Sequence, residues 1–214
     1  MQREQRARVF NVSGPYAVGK DTILNALLSK YHGRVYRVRT LTTRPVSAEA
    51  DPSYEHVSFD QMRERTANGE WIVNYQLSGR TAYATNLLEI RAAIDDGLVC
   101  IHSIYAGRNG AGQLREAFGA ELYSIGLLPA DGNIDEQLAV LRDRLVGRSR
   151  DDPAAVDARL KHQIEPLKYV LENPLVCGPE GGLRVFDRVL VNSDLDRTVE
   201  TVVQVFDETV LEAQ

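Results

Sequence analysis

The sequence predicts an α/β fold in which a mainly parallel sheet is flanked by helices. Three observations predict it. Segments rich in β-formers alternate with segments of helical periodicity along the chain. Residues 98–104 (L-V-C-I-H-S-I) form an unbroken run of the kind found in a strand buried on both faces. Glycines fall at the joints between the two kinds of segment. With 214 residues, 43% of them hydrophobic and 26% charged, the chain suffices for one such domain with small inserted lobes.

Residues 8–13 (R-V-F-N-V-S) read as a short buried strand, and Ile23, Leu24, Leu27 and Leu28 recur at helical spacing until Gly33 offers a stop. Between them, residues 14–22 read G-P-Y-A-V-G-K-D-T. Gly14, Gly19 and Lys20 stand at the spacing of a phosphate-binding loop, G-x-x-x-x-G-K-[ST]. Asp21 occupies the place of the Mg²⁺-binding hydroxyl, and Thr22 follows. A strand, a glycine-rich turn and a helix place free N–H groups and the positive helix end against an anion, while the lysine reaches the β and γ phosphates. The expected fold is therefore that of a P-loop NTPase.

Downstream, 34–41 alternates as a strand, and 42–53 reads as a loop rich in Pro, Ser, Ala and acids. A short strand at 55–58, a helix at 59–69, a strand at 70–77, a turn at 78–79 and a helix at 86–96 follow. After the apolar strand come a helix at 113–118, a strand at 121–128 and a helix at 134–146. A charged turn at 148–153 leads into a helix at 154–171. Residues 173–182 hold three glycines and two prolines and read as a surface loop, before a last strand at 185–191 and a last helix at 195–211.

A net charge of −5 argues against a nonspecific grip on nucleic acid or an anionic membrane. Cys100 and Cys177 lie in apolar neighbourhoods without metal-like spacing, the usage of a reduced cytosolic protein. The polar first residues do not resemble a signal peptide, and no apolar run approaches bilayer length. The expectation is a cytoplasmic protein, monomer or homodimer, acting on a small molecule. His32, His56 and His162 show no ligand spacing, so zinc is not expected.

Laid out in this order, the chain resembles the guanylate kinase family of nucleoside monophosphate kinases over nearly its whole length. The resemblance is carried by the loop G-P-x-x-V-G-K-x-T, by Thr42-Thr43-Arg44-Pro45 followed by Tyr54, and by Gly69-Glu70-Trp71-Ile72 with Ser78-Gly79 and Tyr83-x-Thr85. Arg144-x-x-Gly-Arg148 with Arg159, and Val191-Asn192-x-Asp194-Leu195-Asp196, complete it. It implies a core of 7–38, 97–135 and 183–214, an acceptor-binding lobe at about 39–88 and a helical lid at about 140–165. It also implies ATP as phosphoryl donor with Mg²⁺. Gly14, Val18, Gly19, Lys20, Asp21 and Thr22 would hold the donor phosphates and Asn192 its adenine. Lys20, Arg144, Arg148 and Arg159 would stabilise the transferring group, because phosphoryl transfer needs positioning and charge neutralisation rather than a covalent catalyst. Any one of the arginines could instead form a surface ion pair with the nearby Asp143, Asp151, Asp152 or Asp157, a reading that is weaker for the set of three. Arg44, Tyr54 and Tyr83 would hold the acceptor phosphate, although the tyrosines could also be packed aromatics.

The chain departs from the family where guanine is read. The family's hydroxyl falls on Thr40, but its two acidic positions fall on Val73 and Ile104, with His102 where a further Asp stands, and Ser47 replaces an arginine. A guanine edge without carboxylate acceptors would lose hydrogen bonds, so an acceptor other than GMP is expected. His102 could contact that acceptor or be a hydrogen-bonded structural group. Asp21 could hold Mg²⁺ in place of the lost strand carboxylate. The G-K-D loop and the missing strand Asp are also similar to ribose 1,5-bisphosphate phosphokinase, and a non-catalytic binding module is a third reading.

Overall fold

The computed structural model describes residues 6–46, 52–75, 81–148, 153–178 and 181–211. The chain opens with β1 (Val9–Ser13), α1 (Lys20–Lys30) and β2 (Val35–Arg37). Four short strands follow, β3 (Thr40–Thr42), β4 (Tyr54–His56), β5 (Trp71–Tyr75) and β6 (Ala82–Asn86), with α2 (Phe59–Ala67) between β4 and β5. Then come α3 (Leu87–Asp95), β7 (Val99–His102), α4 (Gln113–Phe118) and β8 (Leu122–Leu128). Helices α5 (Ile134–Arg148), α6 (Pro153–Lys161) and α7 (Ile164–Glu172) precede β9 (Leu175–Gly178), β10 (Gly181–Arg184), β11 (Arg188–Val191) and α8 (Leu195–Phe206).

Among the described residues the main sheet runs β11-β8-β1-β7-β2 and is parallel throughout. All five residues of β1 are buried, as its central place requires. Alternating side chains divide the core in two. Val9 and Cys100 face Ile90, Leu114, Leu141 and Leu167, whereas Phe10 and Ile101 face Leu24, Leu27, Val202 and Phe206. The protein is thus a three-layer α/β/α domain with β1 in the middle. Burial pushes the Cys100 thiol up to about 12, so it remains a protonated core group.

A buried polar network underlies the loop after β1. Asn11 Nδ2 donates to Ser13 Oγ and Ser124 Oγ, each at 2.9 Å, and Ser13 Oγ donates to the Ile104 carbonyl at 2.8 Å. The Ile104 N–H returns to Asn11 Oδ1 at 3.3 Å. These bonds lock the ends of β1, β7 and β8 together where a ligand at the sheet's C-terminal edge would sit.

A second sheet, β4-β3-β6-β5, is built from residues 40–86 and packs Leu41, Ala82 and Ala84 against Met62 of α2. Here the expected strand at 34–41 is two strands in two sheets. The Val38 N–H still bonds to the Ile101 carbonyl of the main sheet at 3.0 Å, after which the chain leaves to pair Thr40 with Tyr54. Strand β6 was not anticipated, because Asn86 signals the helix it caps by accepting from the N–H groups of Leu88 and Glu89. The turn expected at 78–79 lies outside the described residues.

Two further expectations are corrected. The helix at 154–171 is broken into α6 and α7, since Pro166 is acceptable in a first turn but would oppose the His162 carbonyl in a continuous helix. The loop at 173–182 is a hairpin of β9 and β10. Asn173 fastens its base, donating to the Phe186 carbonyl and accepting from the Phe186 N–H at 2.9 Å each. Glycine and proline masked the strands, whose apolar Val176 is buried by neighbours distant in sequence.

Candidate active site

Residues 14–20 leave the C-terminal end of β1 and enter α1 at Lys20. The turn is made by backbone that L side chains rarely adopt, with φ of +156° at Gly14, +58° at Ala17 and +99° at Gly19. A Cβ on Gly14 would lie 2.6 Å from the Leu127 carbonyl oxygen, and one on Gly19 would lie 2.6 Å from Asn192 Nδ2. Both glycines are therefore required by close approach as well as by conformation. Lys20 folds back over the loop, its Nζ donating to the Gly14 carbonyl at 3.0 Å and the Pro15 carbonyl at 2.6 Å. Although the residue as a whole is half-buried, its ammonium is enclosed. That desolvation lowers its pKa to about 8, against an opposing pull from Asp21.

Two distant side chains hold the loop from outside. Gln163, 2% exposed at the α6–α7 junction, accepts the Tyr16 N–H on Oε1 at 2.8 Å and donates from Nε2 to the Arg159 carbonyl at 3.1 Å. Asn192, also 2% exposed, donates Nδ2 to the Val18 carbonyl at 2.7 Å. The guanidinium of Arg144 in turn donates to the Asn192 and Pro129 carbonyls. Asn192, expected to read adenine, gives one amide N–H to the loop, while its buried Oδ1 has no hydrogen-bond partner among the described residues. Arg144, expected on the transferring group, braces that same corner. Gln163 was missed by sequence reasoning because nothing local marks a glutamine whose partner lies 147 residues away.

Thr22 is exposed in the first turn of α1, and Asp21 beside it is ion-paired with Arg37 of β2 at 2.9 Å. Arg37 also donates to Asn25 Oδ1. Among the described residues no group of three or more His, Cys, Asp or Glu side chains could hold a metal ion. A nucleotide-bound Mg²⁺ needs only one or two protein oxygens, because phosphates and waters supply the rest, so a single carboxylate at Asp21 fits provided Arg37 gives way.

The structure gathers the residues expected at the acceptor phosphate. The Arg44 guanidinium lies 5.2 Å over the Tyr54 ring, and the Tyr54 and Tyr83 rings meet edge to face at 6.4 Å. Register explains the grouping, since Thr40 pairs with Tyr54 and Thr42 with Tyr83. Arg44 is exposed and Thr40 half-buried. His56 Nδ1 stands 2.7 Å from the Arg44 carbonyl, which places its proton on that nitrogen. His102 fits the second of its two readings, a hydrogen-bonded structural group. It is 1% exposed, with Nε2 2.7 Å from Thr85 Oγ1, so its ring ties β7 of the main sheet to β6 of the second sheet instead of standing open to a ligand. Burial lowers its pKa to about 4, opposed by the Val38 backbone, which leaves it neutral at physiological pH.

Of the other expected arginines, Arg159 is exposed on α6, and the side chain of Arg148 lies outside the described residues, as does Ser47. Arg108, after β7, is engaged by Glu116 at 2.6 Å. No helix among the described residues is long and apolar enough to cross a membrane.

A glycine-rich phosphate loop at the C-terminal end of the central strand of a parallel sheet, closed by its own lysine, defines a P-loop nucleotide-binding protein. Comparison narrows the class. A family model described as guanylate kinase matches residues 6–209, and the chain belongs to the guanylate kinase family. It is 28% identical over 199 residues to a guanylate kinase of Trichodesmium erythraeum, covering 92% of this chain and 95% of that protein. It is 27% identical, also over 199 residues, to one from Alkalilimnicola ehrlichii, covering 92% and 87%. Among solved structures, guanylate kinase from Anaplasma phagocytophilum shares the fold with a TM-score of 0.62 at 18% identity, covering 98% of this chain and 89% of that one. The protein is a nucleotide kinase, so the binding-module reading falls, and the comparisons lend no support to the ribose 1,5-bisphosphate reading.

Proposed function

We propose that the protein transfers the γ-phosphoryl group of ATP to the phosphate of a nucleoside monophosphate. The bond between the γ phosphorus and the β,γ-bridging oxygen breaks as one forms to an acceptor phosphate oxygen, leaving ADP and a nucleoside diphosphate. The observation that carries the reading is the Lys20-closed loop, in a chain whose relatives described above are named guanylate kinase. Lys20 and the loop N–H groups hold the donor phosphates. Arg44, with the hydroxyls of Tyr54 and Tyr83, holds the acceptor phosphate in the lobe at about 39–88, because a phosphate dianion in a cleft needs a full counter-charge. Arg148 and Arg159 on the lid at about 140–165 approach when it closes. Mg²⁺, when bound beside Asp21, supplies charge neutralisation on the β and γ phosphates.

The base is read without the usual carboxylates. Ile104 is buried and apolar, and His102 is neutral and committed to Thr85. GMP is therefore not the preferred acceptor, although the relatives compared bear its enzyme's name.

The test is ADP release from Mg²⁺-ATP with GMP, AMP, CMP, UMP and dTMP in turn, and with no acceptor. Strong dependence on a monophosphate other than GMP is expected. Preference for GMP by tenfold or more would overturn the base assignment and leave the kinase intact. Equal rates with and without every acceptor would overturn the transfer reaction itself.

A further inference from the structure

The loop of residues 14–20 presents its backbone N–H groups to phosphate, Pro15 having none to offer, and one of the remaining six is engaged within the protein. The Tyr16 N–H donates to Oε1 of the buried Gln163 at 2.8 Å. Gln163 is itself fixed. Its backbone N–H donates to the Leu160 carbonyl at 2.8 Å, its carbonyl accepts the Leu167 N–H at 3.0 Å, and its Nε2 holds the Arg159 carbonyl. The side chain therefore joins the phosphate loop to the tight turn where α6 ends and α7 begins. The next loop residue, Ala17, carries the positive φ of +58°, an uncomfortable conformation for any residue but glycine. Such a conformation persists only where its surroundings determine it, and here one side is held by Gln163 and the other by Asn192 on Val18.

We propose that Gln163 is a positioning residue for the donor nucleotide. It never touches the phosphates. By keeping the Tyr16 N–H turned outward it preserves the curvature of the loop before ATP arrives, and it couples that curvature to the α6–α7 junction. The proposal rests on ATP binding at this loop but not on which acceptor is used.

Gln163→Met keeps the volume of the side chain and removes both hydrogen bonds. ATP affinity, measured by calorimetry with Mg²⁺ and no acceptor, should fall by about five- to tenfold, the effect of one lost buried hydrogen bond. In turnover the KM for ATP should rise by the same factor, with kcat and the acceptor KM within about twofold, because a merely structural loss would move all three. Tighter ATP binding in the variant would mean that Gln163 competes with phosphate for the N–H, and would overturn the proposal. So would a uniform loss of kcat with unchanged ATP affinity. Should the variant not fold, amide exchange in the wild-type protein decides. The Tyr16 N–H should be protected before nucleotide is added, and exchange there at the rate of a solvent-exposed amide would defeat the assignment. Failure of the acceptor panel leaves both binding measurements valid.

Discussion

Asn192 donates its side-chain amide to the Val18 carbonyl at 2.7 Å, joining the end of the last strand to the phosphate loop across 174 residues of sequence. The same Nδ2 is what a Cβ on Gly19 would strike at 2.6 Å. Loop and strut are therefore fitted to each other. Asn192→Ala leaves a buried carbonyl unpaired and should cost about 1–3 kcal/mol, lowering the melting temperature by several degrees. Gly19→Ala should abolish measurable ATP binding. Adding Asn192→Ala to it should recover little, because the φ of +99° remains. Thermal melts and ATP titrations of the three variants check this; full recovery in the double variant would show that collision alone was the fault.

Lys20 has a pKa of about 8 because its ammonium is desolvated. Phosphate favours the charged form, so ATP must take up a proton with it whenever pH exceeds that value. The KM for ATP should be flat below pH 8 and rise about tenfold per pH unit above it, the slope for one coupled proton. Lys20→Met should lose about 10²- to 10³-fold in turnover, as expected for removal of one charged contact to the transferring group. It should also lose the alkaline rise in KM. A rise retained in that variant would place the titrating group elsewhere.

The pairing of Arg37 with Asp21 at 2.9 Å sets a cation beside the loop's unusual acid. Asp21 is largely exposed, so the pair itself adds little stability. Its effect belongs to binding. With Arg37 removed Asp21 is free to hold Mg²⁺, so in Arg37→Met the Mg²⁺ concentration needed for half-maximal rate should fall by about two- to fivefold at low ionic strength, the scale of an exposed charge interaction. Asp21→Asn in the same chain should reverse that gain and raise the Mg²⁺ requirement, because the carboxylate that would hold the ion is gone. Unchanged Mg²⁺ dependence in both variants would remove Asp21 from the donor site.

His102 binds a proton less readily when folded, since burial lowers its pKa from 6.5 to about 4. Between those values the unfolded chain holds the extra proton, so stability is complete above pH 6.5 and falls as pH drops toward 4. The whole window is worth about 3 kcal/mol at most. His102→Gln should flatten the dependence of the urea midpoint on pH in this window, and Thr85→Val should lower stability by about 1 kcal/mol through the lost bond between the two sheets. Parallel pH profiles for wild type and His102→Gln would assign the acid loss to other groups.

The sequence alone determined what depends on near neighbours along the chain. Gly14, Gly19 and Lys20 specify the phosphate loop because a turn of seven residues places its own N–H groups, and the alternation of β-prone and helical segments specifies the layered sheet. It also brought out Arg44, Tyr54 and Tyr83, which register later gathered on one face. Tertiary structure decided everything that rests on partners far away. It divided the run at 34–41 between two sheets and made a hairpin of a segment whose glycines and prolines read as loop. It engaged Asn192 and Arg144 in holding the loop and the end of the last strand, and drew Gln163 and Arg37 to the loop from positions with no local signature. The physical reason is the same throughout. Backbone conformation and periodicity are properties of a short stretch, whereas burial and hydrogen-bond satisfaction are set by whichever side chains the fold brings within 3 Å or so.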